Sequence, residues 1–251
     1  MRTDILIIGA GASGLMAAYG AASTLVAAGS DASVTLLEKM PRAGRKIMLT
    51  GKGRCNFTNV KPWQDFLVHV RTNPNFLKPS FYNFNPGQVV DFFESFGMHT
   101  VVERGDRAFP RSYRSSEVID TLVSACHSVG VKIECEAEVQ SFSPEGVTLS
   151  DGRNFQCRRI IVATGGLSYP STGSTGDGYS WAEKTGHKVT DRFPSLTALV
   201  PKGYKEGKGH IDRSTPLSET GEKLCGVQLK NVGVKLLVDD NASQEEFGDI
   251  D

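Results

Sequence analysis

The chain has 251 residues, with 28 basic and 28 acidic side chains and a formal net charge of zero. Nothing global therefore points to nucleic acid or to an acidic membrane surface. Hydrophobic content of 39% permits a substantial core, and no apolar run approaches the roughly 20 residues that span a bilayer. Cys55, Cys126, Cys135, Cys157 and Cys225 are scattered without a CxxC pair, which argues against a disulfide scaffold, a zinc cluster or a redox dithiol. The totals read as a soluble protein of the reducing cytosol.

Arg2 and the apolar residues after it mimic the start of a secretion signal, but Asp4 and the following glycines interrupt it. The same residues make better sense as a strand, Asp4 to Ile8, feeding the turn Gly9-Ala10-Gly11-Ala12-Ser13-Gly14. An alanine-rich helix, Leu15 to Ala28, and a second apolar strand, Ser33 to Leu37, follow and end in Glu38. Strand, glycine turn, helix, strand and acid occur in the order that a dinucleotide needs. Gly9 permits the tight turn, Gly11 a close approach to pyrophosphate, and Gly14 close packing of helix on strand. The helix N-terminus offers unpaired N–H groups to phosphate. Glu38, 24 residues after Gly14, is placed to accept from a ribose hydroxyl.

Between Lys39 and Arg54 lie six cations and no acid, with Gly44, Gly51 and Gly53 making the backbone bendable. This is either a solvated loop or a second anion cradle built on Arg45, Lys46 and Arg54, and its position directly after Glu38 favours the cradle. Asn56, Thr58 and Asn59 can meet a heteroaromatic ring edge or cap a helix. Cys55 is either a reactive thiol or a small packed residue. Residues 60–85 read as an irregular excursion with short helical pieces. A helix then starts at Asn85-Pro86, carries Val89, Phe92, Phe93 and Phe96 on one core-facing stripe, and stops at Gly97.

Met98 to Glu103 reads as a strand. Arg104 to Arg114 reads as a loop whose four arginines either hold an anion or are solvated. Ser115 to Val129 is an amphipathic helix, with His127 suited to its C-terminal dipole. Val131 to Cys157 alternates as a small antiparallel meander, with turns at Ser143–Gly146 and Asp151-Gly152. Arg159 to Val162 reads as a buried strand running into Ala163-Thr164-Gly165-Gly166, which places that turn beside Gly9–Gly14 at the carboxyl end of a parallel sheet. Thr172 to Gly178 is a second glycine-rich loop, with Asp177 expected to cap a helix reaching Lys184. From Pro194 the composition changes. Thr197 to Val200 reads as a strand, Lys202 to Glu222 is polar, Val227 to Val238 reads as a strand pair, and Asp239 to Asp251, with six acids and no base, reads as a mobile tail.

Taken together, Gly9–Gly14, Glu38, Gly44-Arg45-Lys46, Thr50-Gly-Lys-Gly-Arg-Cys-Asn56 with Thr58-Asn59, Ala163–Gly166 and Gly173–Gly178 resemble the BaiN/YhiN-like flavoproteins, which include aminoacetone-oxidase-like members. The similarity covers residues 3 to 200. It implies an α/β fold: a Rossmann-like FAD-binding domain over residues 1–194, with a parallel sheet, helices and a small meander. Residues 195–251 would begin an inserted β-rich substrate domain. Members of that family continue beyond 251, so the chain is expected to stop inside the insert.

By position, the resemblance implies that Gly9, Ala10, Gly11, Ala12, Ser13 and Gly14 hold the FAD pyrophosphate, and that Glu38 and Lys39 hold the adenosine ribose. Gly44, Arg45, Lys46, Thr50, Gly51, Gly53, Arg54, Cys55, Asn56 and Asn59 would run along the pyrophosphate towards the flavin. Val139 would meet the adenine, and Ala163, Thr164 and Gly165 would close over the cofactor.

The function so implied is an FAD-dependent oxidoreductase acting on a small molecule, with NAD(P)H as reductant or oxygen as acceptor. The alternatives are an NAD(P)-dependent dehydrogenase, a non-catalytic FAD-binding module and an RNA-modifying flavoprotein. Zero net charge weighs against the last. No catalytic residue or metal ligand is assigned; Tyr169, His187 and Arg107 are the nearby candidates.

Overall fold

The computed structural model describes residues 1–70, 72–194, 229–238 and 241–250. The chain divides into two compact units, Met1–Thr190 and Asp191–Asp251. The first unit is built on a six-stranded sheet whose strands are β1 (Arg2–Ile8), β2 (Val34–Leu37), β6 (Lys132–Glu134), β7 (Val139–Ser143), β8 (Gly146–Leu149) and β9 (Asn154–Val162). Their spatial order is β6-β2-β1-β9-β8-β7, with β6, β2, β1 and β9 parallel and β9, β8 and β7 antiparallel.

Strand β1 lies inside the sheet and is apolar on both faces, as a parallel strand covered on each side must be. Ile7 points to one core with Leu36 and with helices α1 (Ala12–Ala27) and α5 (Ser115–Ser128). Leu6 and Ile8 point to the other, with Leu37, Val147, Leu149, Phe155 and Trp181. Gly14 brings α1 onto β1: a Cβ there would lie 1.7 Å from the Gly9 carbonyl oxygen.

Short helices α2 (Trp63–Leu67) and α3 (Pro74–Asn83) fill the irregular excursion. Helix α4 (Pro86–Ser95) starts with a reciprocal cap, in which Asn85 Oδ1 accepts the Gln88 N–H and Gln88 Oε1 accepts the Asn85 N–H. Its phenylalanine stripe is core: Phe92 and Phe96 meet the Tyr19 ring edge to face at 5.2 and 5.7 Å. A three-stranded sheet joins β3 (Thr58–Asn59), β5 (Arg107–Pro110) and β4 (Thr100–Glu103).

The structure corrects several expectations. The Arg104–Arg114 segment is not all loop, because Ala108 and Phe109 are fully buried and draw β5 between β3 and β4. The segment near Ile133 does not join the meander; it pairs parallel to β2. The strand around Phe155 and the one around Ile160 are a single strand, β9. Ile161 and Val162 are 37% and 40% exposed rather than buried.

In the second unit, the described part of the expected strand pair at Val227–Val238, residues 229–238, is not a pair. One strand, β10 (Leu229–Val238), pairs antiparallel with β11 (Asn241–Ile250), so residues 241–250 of the acidic tail form a strand. The expected strand at Thr197–Val200, the polar stretch 202–222 and Cys225 lie outside the described residues.

Candidate nucleotide site

The carboxyl ends of β1, β2 and β9 converge on a cavity of about 380 Å3, within the range of about 300–1,000 Å3 of small-molecule sites. The glycine turn forms its floor. Gly9 has φ of +101°, and a Cβ there would lie 2.5 Å from the Ala163 carbonyl oxygen, so the turns after β1 and β9 touch. Ala163 N–H also donates to the Ile8 carbonyl at 2.8 Å. Gly11 is different. A Cβ on it would meet nothing within 4 Å, and the residue lines the cavity. Its bare backbone therefore faces open space at the start of α1. The first N–H groups of that helix have no carbonyl one turn back, no side chain caps them, and the first turn holds no acid. This is a cradle for an anion.

Glu38 is buried at the end of β2. Its Oε2 accepts the Ala10 N–H at 2.8 Å and its Oε1 the Met40 N–H at 2.9 Å. The carboxylate thus fixes the glycine turn against β2, and each oxygen keeps lone-pair capacity for a hydroxyl. Gly44, at φ of +72°, has no room for a Cβ against Ile119, and its N–H donates to the Ala10 carbonyl at 2.8 Å. That bond ties the cationic loop to the turn and sets Arg45, Lys46, Ile47 and Thr50 in the cavity wall. Val139, Ala163, Thr164 and Gly165 complete the opposite side.

Of the residues expected to hold a cofactor, Gly9 to Ser13, Glu38, Lys39, Arg45, Lys46, Thr50, Val139 and Ala163 to Gly165 line this one cavity. Gly14 and Gly44 act from behind it by allowing close packing. Cys55 and Asn56 instead face an adjoining apolar chamber of about 260 Å3, which shares Ala12, Ile47 and Thr50 with the first.

Gly51, Gly53, Arg54 and Asn59 line neither. Arg54 lies over the Phe109 ring at 5.1 Å and reaches Glu103 at 4.0 Å. Asn59 Nδ2 donates to the Gly105 carbonyl at 2.8 Å and its Oδ1 accepts the Lys61 N–H at 3.1 Å. The Asn56 amide, turned so that its nitrogen donates, reaches the carbonyls of Thr58 at 2.7 Å and Ala108 at 3.1 Å. These polar groups hold β3 and its neighbours in place. Burial pushes the Cys55 thiol up, against a lowering hydrogen bond with Thr50, so it is not an activated nucleophile.

The second glycine-rich loop contributes more than expected. Thr172, Gly173, Ser174, Asp177 and Trp181 line the cavity. Asp177 is not a cap; it is the first residue of α6 (Asp177–Lys184), after Gly176 at φ of +83°. Its carboxylate takes the Lys39 ammonium at 2.9 Å, and Lys39 also donates to Thr175 Oγ1 at 2.5 Å. Trp181, stacked on Phe142 at 5.0 Å with ring planes 4° apart, gives an aromatic wall that sequence reasoning missed. Its place follows from Gly178: a Cβ there would lie 2.7 Å from Thr164 Oγ1, so α6 packs closely on the end of β9, a contact that the sequence does not signal. Tyr169, His187 and Arg107 do not line the cavity, and the described residues include no group of side chains able to hold a metal.

The model of the HI0933-like protein Rossmann domain matches residues 3–243. The chain belongs to this family. Among the curated relatives of this HI0933-like chain, the 3-dehydro-bile acid delta(4,6)-reductase of Clostridium scindens is 35% identical over 205 residues, covering 80% of this chain and 48% of the relative. The ribosomal RNA dihydrouridine synthase of Escherichia coli is 30% identical over 236 residues, covering 92% and 53%. The HI0933-like chain thus spans about half the length of the curated relatives it matches. Among solved structures, the open conformation of a flavocytochrome c3 fumarate reductase is 22% identical, with a TM-score of 0.49, over 73% of this chain and 40% of that one.

Proposed function

We propose that this chain forms the FAD-holding part of a flavin-dependent reductase that saturates a carbon–carbon double bond. The observation that carries the nucleotide half of this reading is Gly11. Its missing side chain leaves space at the N-terminus of α1, where a pyrophosphate would take unpaired N–H groups and the helix dipole. Glu38 would accept from the ribose, the Val139 backbone would border the adenine, and Arg45 and Lys46 would balance phosphate charge from the opposite wall.

A flavin, when bound, supplies the hydride chemistry; the protein supplies position, electrostatics and exclusion of water. The reductive direction rests on the names of two relatives, a delta(4,6)-reductase and a dihydrouridine synthase, each describing saturation of a double bond.

The residues proposed to contact the cofactor are those that line the cavity. Residues 1–194 are proposed as the cofactor domain and 195–251 as part of an insert bearing on substrate. A small-molecule substrate is the first reading. The name of the E. coli relative favours a second, in which the substrate is a uridine of ribosomal RNA.

Equilibrium dialysis of the purified chain against FAD, NAD and ADP tests the cofactor. FAD and ADP are expected to compete for one site, with NAD weaker; retention of neither FAD nor ADP overturns the reading. Oxidation of NAD(P)H by the FAD-loaded chain, with an unsaturated steroid ketone or a uridine-containing ribosomal fragment offered as acceptor, separates the two substrate readings.

A further inference from the structure

A second cavity, of about 820 Å3, is lined by Pro41 to Ala43, Arg45, Met48 and Leu49 of the cationic loop. One wall is a stripe of α5. Ser116, Ile119, Asp120, Val123 and His127 recur at helical spacing, so a single face of the helix looks into it. Ile133 and Cys135, on and just after β6, form a second wall, and Met48 and Leu49 overhang the opening at 45% and 53% exposure. The lining is thus mostly apolar at its floor.

The rim is not apolar. Arg42, Arg45 and His127 lie around it, and among the described residues none of the three has a side-chain hydrogen bond or ion pair. Asp120 is the lone carboxylate at the edge. Two guanidinium groups, Arg42 and Arg45, without a partner among the described residues and set beside an apolar trough, are complementary to a ligand with an apolar body and an anionic head. Guanidinium groups hold a carboxylate with paired, charge-assisted hydrogen bonds, while the floor removes the body from water. A neutral apolar molecule would leave the rim unused, and a small inorganic anion would leave the floor unused.

We propose that this cavity is a second binding site, adjoining the nucleotide site, for an amphipathic carboxylate. The two cavities share Arg45 and Thr172, so the diagnostic substitutions avoid both residues. Arg42→Ala removes one rim cation at an exposed position. Val123→Glu places a carboxylate in the floor.

The test titrates the 251-residue chain with anilinonaphthalene sulfonate and with its neutral counterpart N-phenylnaphthylamine, using decanoate as competitor. The anionic probe is expected to bind saturably, to bind at least tenfold more tightly than the neutral one, and to be displaced by decanoate but not by ADP. Arg42→Ala is expected to weaken it severalfold and Val123→Glu to abolish it, with the circular dichroism of both variants unchanged. Equal binding of the neutral probe, displacement by ADP, or indifference to Arg42→Ala in the folded variant would each overturn the site. FAD retention, measured on the same samples, is independent of these outcomes.

Discussion

Two glycines of one turn are expected to fail in opposite ways when given a methyl group. A Cβ on Gly11 meets no atom within 4 Å, whereas one on Gly14 falls 1.7 Å from the Gly9 carbonyl oxygen. Gly11→Ala therefore costs the fold only the difference between glycine and alanine at a helix N-cap, about 0.5–1 kcal/mol. For a domain of this size that lowers Tm by about 1–4 °C.

The same methyl stands where a pyrophosphate would approach. Losing one charge-assisted hydrogen bond removes about 1.5–3 kcal/mol, or roughly 10- to 150-fold in affinity. Gly14→Ala must instead displace backbone. The cost lies at or above the upper end of overpacking, about 3 kcal/mol, which is a fall in Tm of roughly 6–12 °C. Thermal melts by circular dichroism and titrations with ADP separate the two effects. An alanine at 11 that binds ADP like the parent, or an alanine at 14 that melts like it, would refute this division of roles.

Glu38→Gln keeps the shape but sets an amide against two N–H donors, and is expected to cost about 1–3 kcal/mol; an unchanged urea midpoint would show that the Ala10 and Met40 bonds do not brace the turn. Asn85→Ala removes half of a reciprocal cap and should cost about 1 kcal/mol, seen as a Tm lower by about 2–4 °C. Burial pushes the Cys126 thiol from 9.0 up to about 11. Because the folded value lies above the unfolded one, its contribution is complete below pH 9 and is lost as pH rises towards 11. Stability measured between pH 8 and pH 11 should fall in that window, and Cys126→Ala should flatten the fall.

The first βαβ unit was legible because each residue in it answers to one strong local rule. Alternation and apolarity make β1, the glycines force the turn, and Glu38 ends β2. Asn85-Pro86 was legible for the same reason. What the sequence hid depends on partners distant in the chain. Four arginines masked β5, whose strand exists because Phe109 is buried between neighbouring strands. Lys132–Glu134 looks like any short alternating segment, and only its parallel pairing with β2 assigns it to the other edge of the sheet. Asn241–Ile250 carries no apolar alternation, and its ladder with β10 makes it a strand.

At the site, composition marked the cationic loop as one cradle. The fold splits it, sending Arg45 and Lys46 to the cavity and Arg54 to an aromatic ring. Trp181 entered the wall through the packing of α6 on β9, which only the tight approach of Gly178 to Thr164 reveals.

The most direct test is an amide chemical-shift titration of the chain with ADP. The largest shifts are expected at Gly9 to Ser13, at Glu38 to Lys46, and at Ala163 to Gly165, all saturating together. Shifts scattered elsewhere, or none at the amides of Gly11, Ala12 and Ser13, would contradict the placing of an adenine dinucleotide on this turn.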